Sequence, residues 1–297
     1  MKNWIQAARL RTLPLSVSGI IVGSAYAQYT GYFRWDIFLL ALLTTLGLQI
    51  LSNYANDYGD GIKGTDNDSR IGPGRAIQTG AISIKQMKKG IIVTSIITFL
   101  IAVLLIYVSF GKENFFYSVL FLVLGLASIA AALKYTMGRS AYGYRGLGDV
   151  FVFLFFGLLS VLGSYFLYAQ NLDWTLILPA CAVGLLSTGV LNLNNMRDEI
   201  SDKAANKNTL VVKMGGKNAK KYHTTIITLA LILIVVFAIA IHLTWSKYYF
   251  LLSFVPVILH LNRISAYTDP KQYDPELKQL ALSTFLISVV LSVVLLY

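Results

Sequence analysis

Acid is scarce in this chain, with only 14 Asp and Glu among 297 residues. Charged residues of both signs make up 13%, where a soluble globular domain carries roughly a quarter, so an ordinary soluble domain is excluded. A single cysteine, Cys181, rules out a disulfide framework. His223, His242 and His260 show no metal-ligand spacing and read as structural. No Walker loop, Ser-His-Asp pattern or H-E-x-x-H is present, which removes P-loop and zinc-protease chemistry. No linker or low-complexity segment divides the chain, so residues 1–297 read as one domain.

Apolar residues are abundant instead, at 56%, and the mean hydropathy is +0.64. Apolar runs able to cross about 30 Å of hydrocarbon recur at 12–30, 36–56, 90–110, 115–134, 148–169, 174–195, 223–243, 248–267 and 279–297. In lipid the backbone must satisfy its own hydrogen bonds, and runs this long do so as helices. The expected fold is an all-α integral membrane protein, nine transmembrane helices in one bundle.

The net charge of +11 raises nucleic acid as a partner, but its distribution argues for no nucleic acid. With the spans numbered in order, 22 of the 25 Lys and Arg fall on one side of the membrane; only Arg34, Lys112 and Lys247 fall on the other. Such asymmetry is the positive-inside pattern, which makes the N-terminus cytoplasmic and the C-terminus external. Lys2, Arg9 and Arg11 followed by an apolar run and "AYA" at 25–27 imitate a cleavable signal. The charge alternation already uses that segment as a first span, so it is expected to be retained.

Half of the acid lies in two short windows: Asp57, Asp60, Asp66 and Asp68, then Asp198, Glu199 and Asp202. Each window opens a long cytoplasmic connection, about 56–90 and 195–222. Asn56 and Asp60 are four apart, as are Asn194 and Asp198, and Asp198 and Asp202. Four-residue spacing stacks side chains on one helix face. Oxygen-only clusters suit a hard divalent cation, and Mg²⁺ commonly binds through a few carboxylates plus substrate phosphates. Lys63, Arg70 and Arg75 trail the first cluster, Lys203 and Lys207 the second, and Arg197 lies within it. Acid, metal and base together suit a diphosphate. An isolated acidic run at a helix end is usually a solvated loop, and "TDNDS" at 65–69 also reads as turn chemistry. Two such runs at equivalent places weigh against the bland reading.

"NDYGDGIKGTD" at 56–66 and "NNMRDEISDKAANKNT" at 194–209 resemble the two Asp-rich motifs of the UbiA superfamily of intramembrane aromatic prenyltransferases. "KYTMGRSAYGYRGLGDVFVFLFFG" at 134–157, "ARLRTLPLSVSGIIVGSA" at 8–25 and "RIGPGRAIQTG" at 70–80 resemble the branch that prenylates 1,4-dihydroxy-2-naphthoate in menaquinone synthesis. The likeness extends through about residue 215. The first motif departs from N-x-x-x-D-x-x-x-D, because Gly64 stands where the last acid is expected and Asp66 follows. Tyr135-x-x-x-Arg139 stands where the superfamily commonly has Y-x-x-x-K, and Arg is no neutral swap for Lys.

The resemblance implies Mg²⁺ held by Asn56, Asp60, Asp66, Asp198 and Asp202, with Asp60, Asp198, Asp202 and Arg139 central to catalysis. Lys63, Arg70, Arg139, Lys203 and Lys207 are the implied contacts for the diphosphate of a polyprenyl diphosphate. Arg145 or Arg139, with Tyr135 and Tyr144, would meet the aromatic acceptor, 1,4-dihydroxy-2-naphthoate; Tyr135, Tyr142 and Tyr144 also offer π faces to a carbocation. Prenylation would proceed with loss of CO₂. The lipid bilayer would hold the tail, in a multi-pass protein of the bacterial inner membrane whose active site opens at the cytoplasmic face. Two alternatives stay open: another acceptor such as 4-hydroxybenzoate, homogentisate or haem within the superfamily, or a membrane transporter, whose ionisable groups would be expected near mid-span. A CDP-alcohol type phosphotransferase fits poorly, since Asp60-Gly61 is followed by Ile62 and Lys63 and not by its D-G-x-x-A-R opening.

Overall fold

A helix occupies each of the nine apolar runs in the computed structural model, which describes residues 2–66 and 71–297. We number them α1 (Leu13–Tyr29), α2 (Trp35–Lys63), α3 (Ile84–Phe110), α4 (Phe115–Lys134), α5 (Gly148–Ala169), α6 (Trp174–Arg197), α7 (Gly216–Ala240), α8 (Trp245–Ala266) and α9 (Pro270–Leu296). Among the described residues eight helices, α2 to α9, are long and apolar enough to cross a membrane; α1 is 17 residues long. No strand occurs among the described residues. Short helices at Lys2–Ala7, Glu199–Ala204 and Leu210–Met214 lie outside this set.

Helix α1 is an internal element, with eleven residues buried where it packs against α9, α5 and α2. Helices α3 and α4 are the opposite kind. Ile92, Val93, Ile96, Ile97 and Leu100 of α3 are all at least half exposed, the surface expected of a lipid-facing helix. Trp35, Trp174 and Trp245 begin α2, α6 and α8 and stand exposed at one rim, where amphipathic rings anchor at an interface.

Local chemistry sets the ends of the elements that carry the acids. Helix α2 runs seven residues past the apolar stretch that announced it, which puts Asp60 on the same helix as Asn56. It stops at Gly64, whose φ of 72° is open to glycine and costly to other residues. Helix α3 starts with a capping box in which the Ser83 hydroxyl accepts from the Gln86 amide and Gln86 accepts from the Ser83 amide. Helix α5 is irregular, widening to a π-helix over Phe153–Gly163. A Cβ on Gly157 would lie 2.6 Å from the Ala180 carbonyl oxygen and from Gly184 Cα, so α5 and α6 touch backbone to backbone.

Two of the three histidines, His223 and His260, serve structure. His223 and His260 pair at 2.9 Å, His260 Nδ1 lies 2.6 Å from Glu276, and Arg263 and Tyr267 donate to the same carboxylate. This buried chain ties α7, α8 and α9 together.

Candidate active site

The two acidic windows end up facing one another at the end of the bundle opposite the tryptophan rim. The first is delivered by the last turns of α2. Asp60 is buried, and its Oδ1 accepts from the Tyr144 hydroxyl at 2.7 Å, which also pairs with Thr65 at 2.6 Å. Gly59 lets α2 approach the turn after α4, because a Cβ there would fall 2.4 Å from Thr136 Oγ1. Asp57, one residue from the predicted set, has a different task. Its carboxylate accepts from the Ala76 and Ile77 amides at 3.0 and 3.2 Å, pinning the 75–80 turn back onto α2. That turn carries Arg75, whose Nε is 3.6 Å from Asp66 Oδ1.

The second window lies at the end of α6 and the short helix after it. Arg197, almost wholly buried, grips Asp198 with two hydrogen bonds of 2.8 and 2.7 Å. Its remaining donors reach Asp274 at 2.5 Å and Asn194 at 2.9 Å, so it aims an acid and does not face a ligand. Asp202 follows one turn later, its amide donating to the Asp198 carbonyl at 2.8 Å.

Lys207 joins the two windows. Its ammonium is buried, 3.4 Å from Asp202 and 3.9 Å from Asp60. Burial alone would lower its pKa, but the Asp60 and Asp202 carboxylates outweigh burial and hold it well above the ordinary lysine value. Burial pushes the Asp202 carboxyl up to about 6, with Lys207 opposing and Asp198 and Asp60 reinforcing. Burial also raises the Tyr144 phenol, and the Asp60 charge adds to it.

A cavity of about 400 Å³ extends from this cluster into the bundle. Asn56, Asp60, Asp66, Asn194, Asp198, Asp202 and Lys207 form one end. Tyr135, Tyr142, Phe151, Phe155 and Phe156 come next, followed by aliphatic residues of α2, α3 and α5. A polar, charged mouth on an aromatic and aliphatic interior suits a ligand with an anionic head and a hydrocarbon tail.

The donors fit a hard divalent cation that takes some ligands from phosphate. They are all oxygens, and Asp202 Oδ2 is buried, unpartnered and on a residue lining the cavity. Among the described residues no three carboxylates converge tightly enough to hold an ion unaided. Asp60 and Asp202 stand beside the Lys207 ammonium, which already marks a place for positive charge.

Of the residues singled out in the sequence, Asn56, Asp60, Asp66, Asp198, Asp202, Lys207 and Tyr135 line one cavity. Tyr144 stands behind Asp60. Lys63 turns away, donating to the Thr136 carbonyl at 2.6 Å with its ammonium 3.8 Å from the Tyr144 ring centroid. Lys203, Arg139 and Arg145 are exposed and outside the lining, and Arg70 and Asp68 lie outside the described residues. Sequence reasoning passed over Arg9, Arg11, Gln49 and Asn53, which line the cavity from α2 and the segment before α1. Gln49 and Asn53 carried a signal, since two amides inside an apolar run need partners.

An all-helical bundle with two acid-bearing helix ends meeting across a lipophilic cavity defines a class of intramembrane enzymes. The chain belongs to the UbiA prenyltransferase family, whose model matches residues 16–295. It is 41% identical over 298 residues to the 1,4-dihydroxy-2-naphthoate octaprenyltransferase of Haemophilus influenzae, covering 100% of this chain and 96% of that one. It is 44% identical over 277 residues to the Escherichia coli protein of the same name, covering 93% and 89%. A UbiA homolog from Aeropyrum pernix shares the fold, with a TM-score of 0.69 at 17% identity over 96% of this chain and 97% of that one. A UbiA homolog from Archaeoglobus fulgidus bound to GPP and Mg²⁺ gives 0.66 at 14% identity over 99% of both.

Proposed function

We propose that this enzyme transfers a long prenyl chain from a polyprenyl diphosphate to 1,4-dihydroxy-2-naphthoate, with loss of CO₂, in the menaquinone pathway. The observation that carries this reading is the meeting of both acidic windows around Lys207 at the mouth of an apolar cavity. The relatives' names, over nearly full length, support the acceptor and an octaprenyl-sized donor.

The difficult step is breaking an allylic C–O bond, which leaves a carbocation and a diphosphate of about three negative charges. Mg²⁺ bound by Asn56, Asp60, Asp66, Asp198 and Asp202 would neutralise the diphosphate as that charge develops. Lys207, already between the two windows, turns its ammonium to a phosphate oxygen, and Arg75 flanks the same mouth. Tyr144 and Arg197 hold Asp60 and Asp198 in place, so these carboxylates need little reorganisation. Tyr135, Phe151 and Phe155 supply apolar walls and π faces that keep water from the cation. Carbon–carbon bond formation at the ring carbon bearing the carboxylate, followed by departure of CO₂, restores aromaticity without a protein base. Lys203, Arg139 and Arg145, exposed and outside the cavity lining, keep a lesser place in this proposal.

The chain is proposed as a single domain with nine spans, N-terminus cytoplasmic and C-terminus external, in a bacterial inner membrane with the site at the cytoplasmic face. The test is to reconstitute the protein in nanodiscs with Mg²⁺ and octaprenyl diphosphate, offering 1,4-dihydroxy-2-naphthoate and 4-hydroxybenzoate in parallel. A prenylated naphthoquinol, lost in Asp60→Asn and Asp198→Asn, is the expected result. Product with 4-hydroxybenzoate alone would move the acceptor assignment to another branch.

A further inference from the structure

We propose that Arg9 binds the carboxylate of the aromatic acceptor and, with the turn that carries it, sets acceptor specificity. The assignment rests on the functional reading above and adds a residue to it.

Arg9 links the Lys2–Ala7 helix to α1 with φ 52° and ψ 61°, the left-handed region that an L-residue adopts at a cost. Glycine would relieve the strain there, yet the position holds a long cationic side chain. The turn is clamped from α2. Asn53 donates to the Ala8 carbonyl at 2.8 Å and to Thr12 Oγ1 at 3.3 Å, and Gln49 donates to Thr12 Oγ1 at 3.2 Å. Two amides in an apolar helix thus fix the strained residue and point to a required position for its side chain.

Arg9 lines the same cavity as the acids and Lys207. The clamp sits at a different level. Asn53 is seven residues from Asp60 on α2, two turns or about 10 Å along the axis. Lys207 and Arg75 accompany the acids at the mouth, so that charge is matched locally. A further cationic residue lining the cavity, on a turn held two turns away by amide side chains, calls for a second anion, and the acceptor's carboxylate is the other anion in the proposed reaction. Guanidinium pairs with carboxylate through two parallel hydrogen bonds, which would fix the orientation of the ring as well as its charge. Arg9 is already engaged within the protein, and the acceptor would exchange for that contact. Arg145 and Arg139, the sequence-based choices for this task, are exposed and outside the cavity lining.

The experiment compares wild type with Arg9→Gln, Arg9→Gly and Arg9→Lys in nanodiscs. It measures KM for octaprenyl diphosphate and for 1,4-dihydroxy-2-naphthoate, and Ki for 1,4-dihydroxynaphthalene, which lacks the carboxylate. Arg9→Gln and Arg9→Gly should raise the naphthoate KM at least about 10-fold, with the prenyl diphosphate KM and the dihydroxynaphthalene Ki within about twofold of wild type. Arg9→Lys should recover part of the loss. Arg9→Gly, relieved of strain, should melt no lower than Arg9→Gln, which separates ligand binding from folding. An unchanged naphthoate KM, or a rise confined to prenyl diphosphate, overturns the assignment. Wild type that prenylates no aromatic carboxylate overturns the functional reading itself, and the assignment with it.

Discussion

Replacing Lys207 with glutamine removes a charge that both acidic windows share. At an effective dielectric of about 20, its attraction to Asp202 at 3.4 Å is about 5 kcal/mol, and to Asp60 at 3.9 Å about 4 kcal/mol. Desolvation of the ammonium offsets much of this, and breaking a buried pair typically costs about 3–5 kcal/mol because a charge is left uncompensated. Lys207→Gln should therefore lower the melting temperature of the metal-free protein in detergent. Mg²⁺ should restore more stability to the variant than to wild type, since the bared carboxylates then favour an added cation. Catalysis should suffer selectively. Loss of one charge-assisted bond to phosphate, about 1.5–3 kcal/mol, reduces kcat/KM for the prenyl diphosphate roughly 10- to 150-fold. The naphthoate KM should hold. A variant with wild-type melting and unchanged kcat/KM for prenyl diphosphate would refute the reasoning.

Arg197→Met leaves Asp198 and Asp274 without their shared partner, so it should cost about 3–5 kcal/mol by thermal melting, while Lys203→Gln on the exposed side should change stability by less than about 0.5 kcal/mol. Gly157→Ala places a methyl 2.6 Å from the backbone of α6, so the helices must part; expect about 1–3 kcal/mol of destabilisation and a lower kcat as the cavity wall shifts. Asp202, raised from 3.8 to about 6 in the metal-free fold, binds its proton more tightly folded than unfolded. Stability without Mg²⁺ should then be greatest below about 3.8 and fall as pH rises to about 6. Mg²⁺ favours the ionised form, so kcat/KM should fall on the acid side, with a limb that moves to lower pH as Mg²⁺ is increased and is altered in Asp202→Asn.

What the sequence made legible follows from scarcity. In a chain this poor in acid, two clusters at matching places could be recognised as a pair, and long apolar runs mark helices whatever their packing. Direction was harder to read. Asp57 and Asp60 are three residues apart in the same motif, yet one pins a turn and the other lines the cavity, because the 71–82 segment folds back over a single face of α2. Arg197 is in sequence only a cation within the second cluster; the structure shows its fork spent on Asp198. Arg139 and Arg145 depended on the path of the chain after α4, which local pattern does not specify. The π-helical stretch of α5 left no mark either, since an apolar run has the same composition at any helical pitch. Arg9 looked like a topological charge before α1; only the clamp from Gln49 and Asn53 shows it held at the cavity.

Carboxyl-labelled 1,4-dihydroxy-2-naphthoate, given to the reconstituted enzyme with octaprenyl diphosphate and Mg²⁺, tests the central claim most directly. Labelled CO₂ should appear in equal amount to prenylated product, cease when Mg²⁺ is chelated, and be strongly reduced in Asp202→Asn. Prenylated product formed without Mg²⁺, or formed undiminished by Asp202→Asn, would contradict the account.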